Sequence, residues 1–279
     1  MAPSRDAPAL MIGTTRAVIL ARGLGTRMRK PDDHATLDTA QSMAADAGVK
    51  GMIPVGRPFL HFLISALADA GFVDVCLVIG PEHGRVREHF ATEAIPRRVR
   101  LAFAVQEKPR GTADAVLAAE PFADGQSFAV LNSDNYYPVE ALAELHRRRA
   151  PVVIGFEREA LVRLGNVPTD RVERFGALDV RSDGTLARIL PRPRSDMREA
   201  DVYASMNCWA FTPDIFRACR AVPISSRGEY ELPQAVQLAI DEHGMRMTVV
   251  RMRAPVLDMS SRGDIASVTE RLSRVTVEL

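Results

Sequence analysis

Short apolar runs alternate with longer amphipathic stretches along the first 156 residues of the chain. The runs are rich in β-branched side chains and predict buried strands, at 17–21, 75–79, 101–105, 128–131 and 152–156. The stretches between them carry apolar side chains at helical spacing and predict helices, at 58–70, 86–90, 113–119 and 139–147. This alternation predicts an α/β fold, with a mostly parallel mixed sheet covered by helices.

The regular alternation of predicted strands and helices ends after residue 156. Shorter strands are predicted at 176–180, 186–190 and 207–211, separated by turn residues and charge clusters, which indicates an inserted and partly antiparallel region. The chain then returns to a helix at 232–240, a strand at 247–252 and a terminal helix at about 262–272. We therefore expect one domain over 1–279, with parts at 17–156, 157–230 and 231–279.

Composition narrows the class of protein. The 279 residues are 47% hydrophobic and 25% charged, with a formal net charge of +1, which is typical of a globular enzyme and gives no electrostatic footprint for nucleic acid or a membrane surface. Three scattered cysteines in apolar surroundings, Cys76, Cys208 and Cys219, favour buried thiols over disulfides. With no apolar stretch long enough to cross a bilayer and no secretory pattern at 1–16, we expect a cytoplasmic protein.

The stretch AVILARGLGTRMRK places two glycines directly after the first predicted strand. A third glycine is missing from the place that a dinucleotide fingerprint requires, and the Gly-Lys-Ser/Thr of a P-loop is also missing. Gly23 and Gly25 alone fit either an ordinary tight turn or a phosphate-binding turn. Thr26 and Arg27 favour phosphate, because a hydroxyl and a guanidinium suit a polyphosphate.

Two carboxylates follow predicted strands. Asp134 lies in NSDN after 128–131, and Asp258 lies in VLDMSS after 247–252. A carboxylate at the end of a buried strand needs a cationic partner, which in a phosphate site is commonly Mg²⁺. The alternatives are that Asp134 caps a turn and that Asp258 is the N-cap of the terminal helix.

The Ala-rich, polar segment 32–48 has two interpretations. It is either a lid over a site or a surface insertion without chemistry.

Several motifs together resemble one family, in the right order over about 17–270: LARGLGTRM, VKGMIPVGRPFL, QEKPRGTADAV, LNSDN, FGALDV, MNCWAF, RGEYEL and VLDMSS. The set resembles the sugar-1-phosphate nucleotidylyltransferases. The resemblance implies a Rossmann-like fold, Mg²⁺ as cofactor, and the joining of a nucleoside triphosphate to a sugar 1-phosphate with release of pyrophosphate. It also implies that 17–156 binds nucleotide, that 157–230 binds sugar, and that a homo-oligomer is compatible with the family.

The resemblance assigns roles residue by residue. It implies that the triphosphate lies on the first turn, at Leu20, Ala21, Gly23, Gly25, Thr26 and Arg27. It implies nucleotide contacts near the base at Gln106, Gly111 and Thr112, and sugar contacts at Gly176, Asn207 and Glu229. Lys50 matches the lysine that neutralises charge near the α-phosphate, and Asp134 and Asp258 match the Mg²⁺ carboxylates.

Two departures from the family pattern affect the expected substrates. Arg22 stands where the family commonly has glycine, and Pro191-Arg192-Pro193 stands where it has Glu-Lys-Pro. Arg192 could replace the lysine as a phosphate clamp, but the glutamate is missing, which points to an unusual sugar or cyclitol phosphate. UTP or dTTP is the preferred donor, with adenylyl or guanylyl transfer as alternatives.

The expected chemistry requires no protein nucleophile. The sugar phosphate attacks the α-phosphorus directly, so that catalysis consists of positioning and charge neutralisation by Arg27, Lys50 and the metal. The six histidines lack ligand spacing. Two rival functions remain, a non-catalytic regulatory subunit of the same fold and a glycosyltransferase that consumes a nucleotide sugar.

Overall fold

The computed structural model describes residues 13–32, 34–191, 193 and 202–279. Its strands are β1 (Arg16–Leu20), β2 (Asp74–Ile79), β3 (Arg100–Val105), β4 (Phe128–Asn132), β5 (Asn135–Tyr136), β6 (Val152–Glu157), β7 (Ala177–Val180), β8 (Leu186–Leu190), β9 (Tyr203–Phe211), β10 (Thr248–Met252) and β11 (Leu257–Asp258). The strands predicted before residue 157 are all present.

The helices come mainly between the strands. They are α1 (Thr26–Arg29), α2 (Thr39–Ala47), α3 (Phe59–Asp69), α4 (Gly84–Glu88), α5 (Thr112–Ala118), α6 (Glu120–Ala123), α7 (Val139–Arg147), α8 (Arg158–Arg163), α9 (Thr169–Val172), α10 (Ile215–Ala221), α11 (Leu232–Glu242) and α12 (Asp264–Leu272). A short 3₁₀ turn covers Lys50–Met52, and a π turn covers His89–Glu93. Helix α10 was not predicted from the sequence.

The main sheet is mixed, as expected. Its strand order is β10-β6-β9-β4-β1-β2-β3, with β7 and β8 attached beside β9. Strands β4, β1, β2 and β3 are parallel, and β10 is parallel to β6. Strand β9 is antiparallel to both β4 and β6 and lies between them. The region after residue 156 thus contributes a central strand of the main sheet as well as the β7–β8 hairpin.

Helices bury both faces of this sheet. In β1, Ala17 and Ile19 pack in the cluster that holds α3 and α7, whereas Val18 and Leu20 pack in the cluster that holds α5, α10 and α11. From residue 17 to residue 20 this strand is apolar at every position because neither face meets water.

The C-terminal segment folds back over the start of the chain. Strand β11 pairs with β5 in a small antiparallel sheet, which places Asp258 opposite Asn135. Residues of β11 and α12 share an apolar cluster with Met28 of α1 and with Phe59 and Phe62 of α3. No helix among the described residues has the length and apolar character needed to cross a membrane.

Candidate active site

The glycine turn after β1 is held by the segment that the sequence left open as a lid or an insertion. Gly25 has φ +59°, and a Cβ there would collide with the carbonyl oxygen of Gly48, the residue that caps α2. Helix α2 itself begins with a capping box between Asp38 and Gln41. The segment therefore packs against the glycine turn as an ordered helix. At Gly23, by contrast, an added Cβ would meet no protein atom within 4 Å.

A cleft opens at the carboxyl ends of β1, β3 and β4. It brings together most of the predicted site residues, namely Leu20, Ala21, Gly23, Gly25, Thr26, Arg27, Lys50, Gln106, Gly111, Thr112, Asp134 and Glu229. Ligands of open α/β sheets bind at this end of the strands. The cleft is also lined by residues that the motif comparison did not single out, including Asn132, Ser133 and Pro109.

A lysine and a carboxylate meet inside this cleft. Lys50 Nζ donates to Asp134 Oδ2 at 2.7 Å, and both side chains are mostly buried. The 3₁₀ turn Lys50–Met52 places the lysine, and the end of β4 places the carboxylate. The long segment before Lys50 therefore leaves the lysine within reach of the strand ends.

Asp258 lies next to Asp134 but does not line the cleft. The Met259 amide donates to the Asp134 carbonyl at 2.9 Å, which joins the two segments directly. Arg171 donates to Asp258 Oδ2 at 2.7 Å, and Ser260 Oγ and Asn135 Nδ2 donate at 2.9 Å and 3.1 Å. The suggestion that Asp258 caps the terminal helix is wrong, because α12 begins only at Asp264 and Asp258 lies in β11.

The two carboxylates lie close enough for the charge of Asp134 to affect Asp258. Burial, and secondly the charge of Asp134, raise the pKa of Asp258 above its ordinary value. Asp134 Oδ1 has no hydrogen-bond partner among the described residues, whereas both oxygens of Asp258 accept hydrogen bonds. The described residues contain no cluster of three or more His, Cys, Asp or Glu side chains that could hold a metal. Mg²⁺ commonly uses only one or two carboxylates and completes its shell with phosphate oxygens and water.

The loop after β3 is held in place by backbone hydrogen bonds to the Arg-Gly-Glu-Tyr segment, residues 227–230. Gly111 has φ +113°, and a Cβ there would lie 2.5 Å from the carbonyl oxygen of Tyr230. Tyr230 accepts the Ala113 amide at 2.9 Å, and its own amide donates to Arg110 at 2.7 Å. This pairing brings Glu229 to the cleft beside Gly111.

Arg22 is buried at the edge of the cleft. Its Nη2 donates to Glu82 Oε2 and to the Glu107 carbonyl, both at 3.3 Å. Its Nε and Nη1 are buried without a hydrogen-bond partner in the described structure. The side chain therefore connects the end of β1 to the loops that follow β2 and β3.

The predicted sugar residues do not all meet in this cleft. Gly176 and Asn207 lie on the β7–β9 side of the molecule, where the Gly176 carbonyl accepts the Ser205 amide at 2.9 Å. Asn207 has a left-handed backbone, with φ +54°. Arg192 lies outside the described residues, so its predicted role stays a prediction.

The motif comparison also missed Arg171, which holds Asp258. Arg171 donates to Asp258 and makes a bidentate contact with Asp264, at 3.1 Å and 3.0 Å. Its partners lie about ninety residues away in the chain, so no local pattern could have revealed the contact. The three cysteines are free and buried, as predicted.

Comparison with known proteins identifies the family. A sequence model described as nucleotidyl transferase matches residues 38–254. The chain belongs to this family. The predicted resemblance to sugar-1-phosphate nucleotidylyltransferases is confirmed, and the chain is therefore an enzyme that forms nucleotide sugars from a nucleoside triphosphate and a sugar 1-phosphate.

Named relatives differ in the nucleotide that their names give. The UTP–glucose-1-phosphate uridylyltransferase AglF of Haloferax volcanii is 26% identical, over 94% of this chain and 98% of its own. A glucose-1-phosphate thymidylyltransferase of Streptomyces antibioticus is 31% identical, over 81% of this chain and 57% of its own.

Solved structures share the fold. A UDP-glucose pyrophosphorylase complexed with UDP-glucose superposes with a TM-score of 0.71 at 16% identity, over 94% of this chain and 100% of its own. A UTP-bound enzyme of Acinetobacter baumannii superposes with a TM-score of 0.68 at 18% identity, over 95% of both chains. Both likenesses support the α/β architecture with its mixed sheet.

Proposed function

We propose that the protein transfers a uridylyl or thymidylyl group from UTP or dTTP to a sugar 1-phosphate or a related cyclitol phosphate. The observation that carries the proposal is the cleft itself, in which the glycine turn, Lys50 and Asp134 lie together at the strand ends. The relatives named above are called uridylyl- and thymidylyltransferases.

The reaction is a single displacement at phosphorus. An oxygen of the sugar phosphate forms a bond to the α-phosphorus, the bond from that phosphorus to the α,β-bridging oxygen breaks, and pyrophosphate leaves. The open space at Gly23 lets phosphate oxygens approach the backbone amides of the turn. Arg27 is exposed beside the turn and forms no ion pair with any described residue, so its guanidinium is available to a phosphate.

Lys50 holds its charge where the α-phosphate is expected. In the absence of substrate its ammonium pairs with Asp134 at 2.7 Å. In our proposal the ammonium turns from Asp134 to the phosphate as charge develops during attack. When bound at Asp134 and Asp258, Mg²⁺ would supply further neutralisation of phosphate charge.

The sugar subsite is proposed on the opposite side of the cleft mouth from the glycine turn. Glu229 lines the cleft, and Gly176 and Asn207 continue along the β7–β9 side. The Pro-Arg-Pro departure still points to a sugar phosphate that differs from that of the relatives.

The proposal is tested by pyrophosphate release from the four common nucleoside triphosphates with a panel of sugar and cyclitol phosphates. UTP or dTTP should support release with at least one acceptor, and Asp134→Asn should lower turnover by about two to three orders of magnitude with an unchanged circular dichroism spectrum. Asp124→Asn is the matched control, because Asp124 is an exposed loop carboxylate away from the cleft. Undiminished turnover in Asp134→Asn would contradict the proposed site.

A further inference from the structure

The amide of Gln106 has only one orientation open to it. Gln106 directly follows β3. It is 4% exposed and lines the cleft beside Gly111. Its Nε2 donates to the Gly111 carbonyl at 3.0 Å and to Asp114 Oδ2 at 2.8 Å. A backbone carbonyl and a carboxylate both only accept, so the two N–H groups of the amide face them.

The two acceptors are themselves fixed. Asp114 lies in the first turn of α5, and Gly111 is held at positive φ against Tyr230. Rotation of the Gln106 amide by 180° would place its oxygen against two other oxygens and leave its N–H groups without these partners, at a cost of about 1 to 3 kcal/mol for each buried group. The Gln106 carbonyl Oε1 therefore remains as an acceptor and has no donor among the described residues.

We propose that Asp114 is a positioning residue that makes Gln106 present only an acceptor to the nucleobase, which selects bases with a ring N–H donor. This inference rests on the proposed function, because it requires the base to lie at Gln106. Uracil and thymine carry such a donor at N3 and guanine carries one at N1, whereas N3 of cytosine and N1 of adenine are acceptors. When the N3 acceptor of cytosine faces Oε1 of Gln106, neither atom has a hydrogen-bond donor. We therefore expect at least a tenfold preference for UTP over CTP.

Loss of Asp114 should weaken this preference rather than binding as a whole. Without the carboxylate, only the Gly111 carbonyl still holds the amide, so turning its N–H groups toward N3 of cytosine costs less. In Asp114→Ala the ratio of the CTP and UTP dissociation constants should fall at least threefold toward unity. Asp114→Asn should restore much of the ratio, because its side-chain carbonyl can accept from Nε2.

The chain offers a matched control on its surface. Gln237 Nε2 donates to the Ala187 carbonyl at 3.3 Å and to Asp241 Oδ1 at 3.0 Å, the same pair of acceptor types, with Asp241 exposed on α11. Asp241→Ala removes an equivalent contact away from the cleft. Its ratio of dissociation constants should equal that of the wild type.

The experiment is isothermal titration of the full chain with UTP, dTTP, CTP, ATP and GTP in the presence of Mg²⁺ and without sugar phosphate. If Asp114→Ala does not fold, Asp114→Leu, which has a similar shape, replaces it. An unchanged ratio in the folded variant, with both constants raised equally, would overturn the inference and leave Asp114 a purely structural role. A wild type that binds CTP as tightly as UTP would also overturn it.

Failure of the inference and failure of the proposed function give different results. A protein that prefers UTP and loses this preference in Asp114→Ala, but releases no pyrophosphate with any acceptor, contradicts the proposed reaction and supports the inference. A protein that turns over UTP while Asp114→Ala keeps the wild-type ratio contradicts the inference alone. Tightest binding of GTP would support the ring N–H rule and correct the proposed donor.

Discussion

Arg171→Met tests the ion network behind the proposed metal site. Arg171 makes three contacts of 2.7 to 3.1 Å with Asp258 and Asp264, whose side chains are 6% and 9% exposed. Removing the guanidinium leaves two buried carboxylates without their cation. Breaking a buried pair in this way typically costs about 3 to 5 kcal/mol.

We expect a loss near the lower end of that range, because the Arg171 side chain itself is 17% exposed. A loss of about 3 kcal/mol corresponds to a melting temperature lower by about 5 °C for a chain of this size, at about 2.1 cal/mol/K per residue. Methionine keeps the aliphatic volume, so that the change reports mainly on charge. Differential scanning calorimetry and urea denaturation measure the loss.

The same segment supplies a matched control. Arg174 pairs with Asp170 at 2.7 Å, but these side chains are 73% and 68% exposed. Such a surface pair contributes at most about 1 kcal/mol, so Arg174→Met should be close to the wild type. Equal free energies of unfolding for the two variants would refute the reasoning that burial makes the Arg171 network costly to break.

Three further predictions concern single side chains. Lys50→Ala should lower kcat by at least a hundredfold and raise the KM for the triphosphate much less, because the lysine charge acts in the transition state. A change in KM alone would assign Lys50 to ground-state binding. Arg192→Ala should raise the KM for the sugar phosphate about tenfold and leave that for the triphosphate unchanged; a normal sugar phosphate KM would exclude the clamp. Burial, and secondly His89, lower the pKa of His61 from 6.5 to about 4. Between those values the unfolded chain takes up a proton that the folded state does not, so the contribution of His61 to the free energy of unfolding should fall by about 2 to 3 kcal/mol from pH 7 to pH 4.5. His61→Gln should lack this part of the pH dependence, and parallel urea-denaturation profiles for the two proteins would contradict the prediction.

Most of the main sheet could be predicted from the sequence because each of the five strands predicted before residue 157 contains a continuous apolar run. The sequence did not show the length or place of β9. Only 207–211 was predicted, since Ser205 interrupts the apolar pattern before it, whereas the strand spans Tyr203–Phe211 and lies between β4 and β6. Position within a sheet depends on which strands pair across long sequence separations, and local periodicity does not report it.

The candidate site, like the fold, was predicted from the sequence only in part. The glycine turn and Asp134 were found because each directly follows a predicted strand, and Lys50 was found through the resemblance to the family. Arg171 and Asp114 were not, because their importance comes from contacts with Asp258 and Gln106 that only the folded chain creates. The motif also does not show why position 25 requires glycine. Part of the reason is that Gly25 packs closely against Gly48.

The central claim is bond formation at the α-phosphorus of the donor, and an isotope experiment tests it most directly. The protein is incubated with Mg²⁺, a sugar 1-phosphate that supports pyrophosphate release, and UTP labelled either at the α- or at the γ-phosphorus. We predict that the α label appears in the nucleotide sugar and the γ label in pyrophosphate, in equal amounts. Recovery of the γ label in inorganic phosphate or in the sugar, with no α label transferred, would contradict the account.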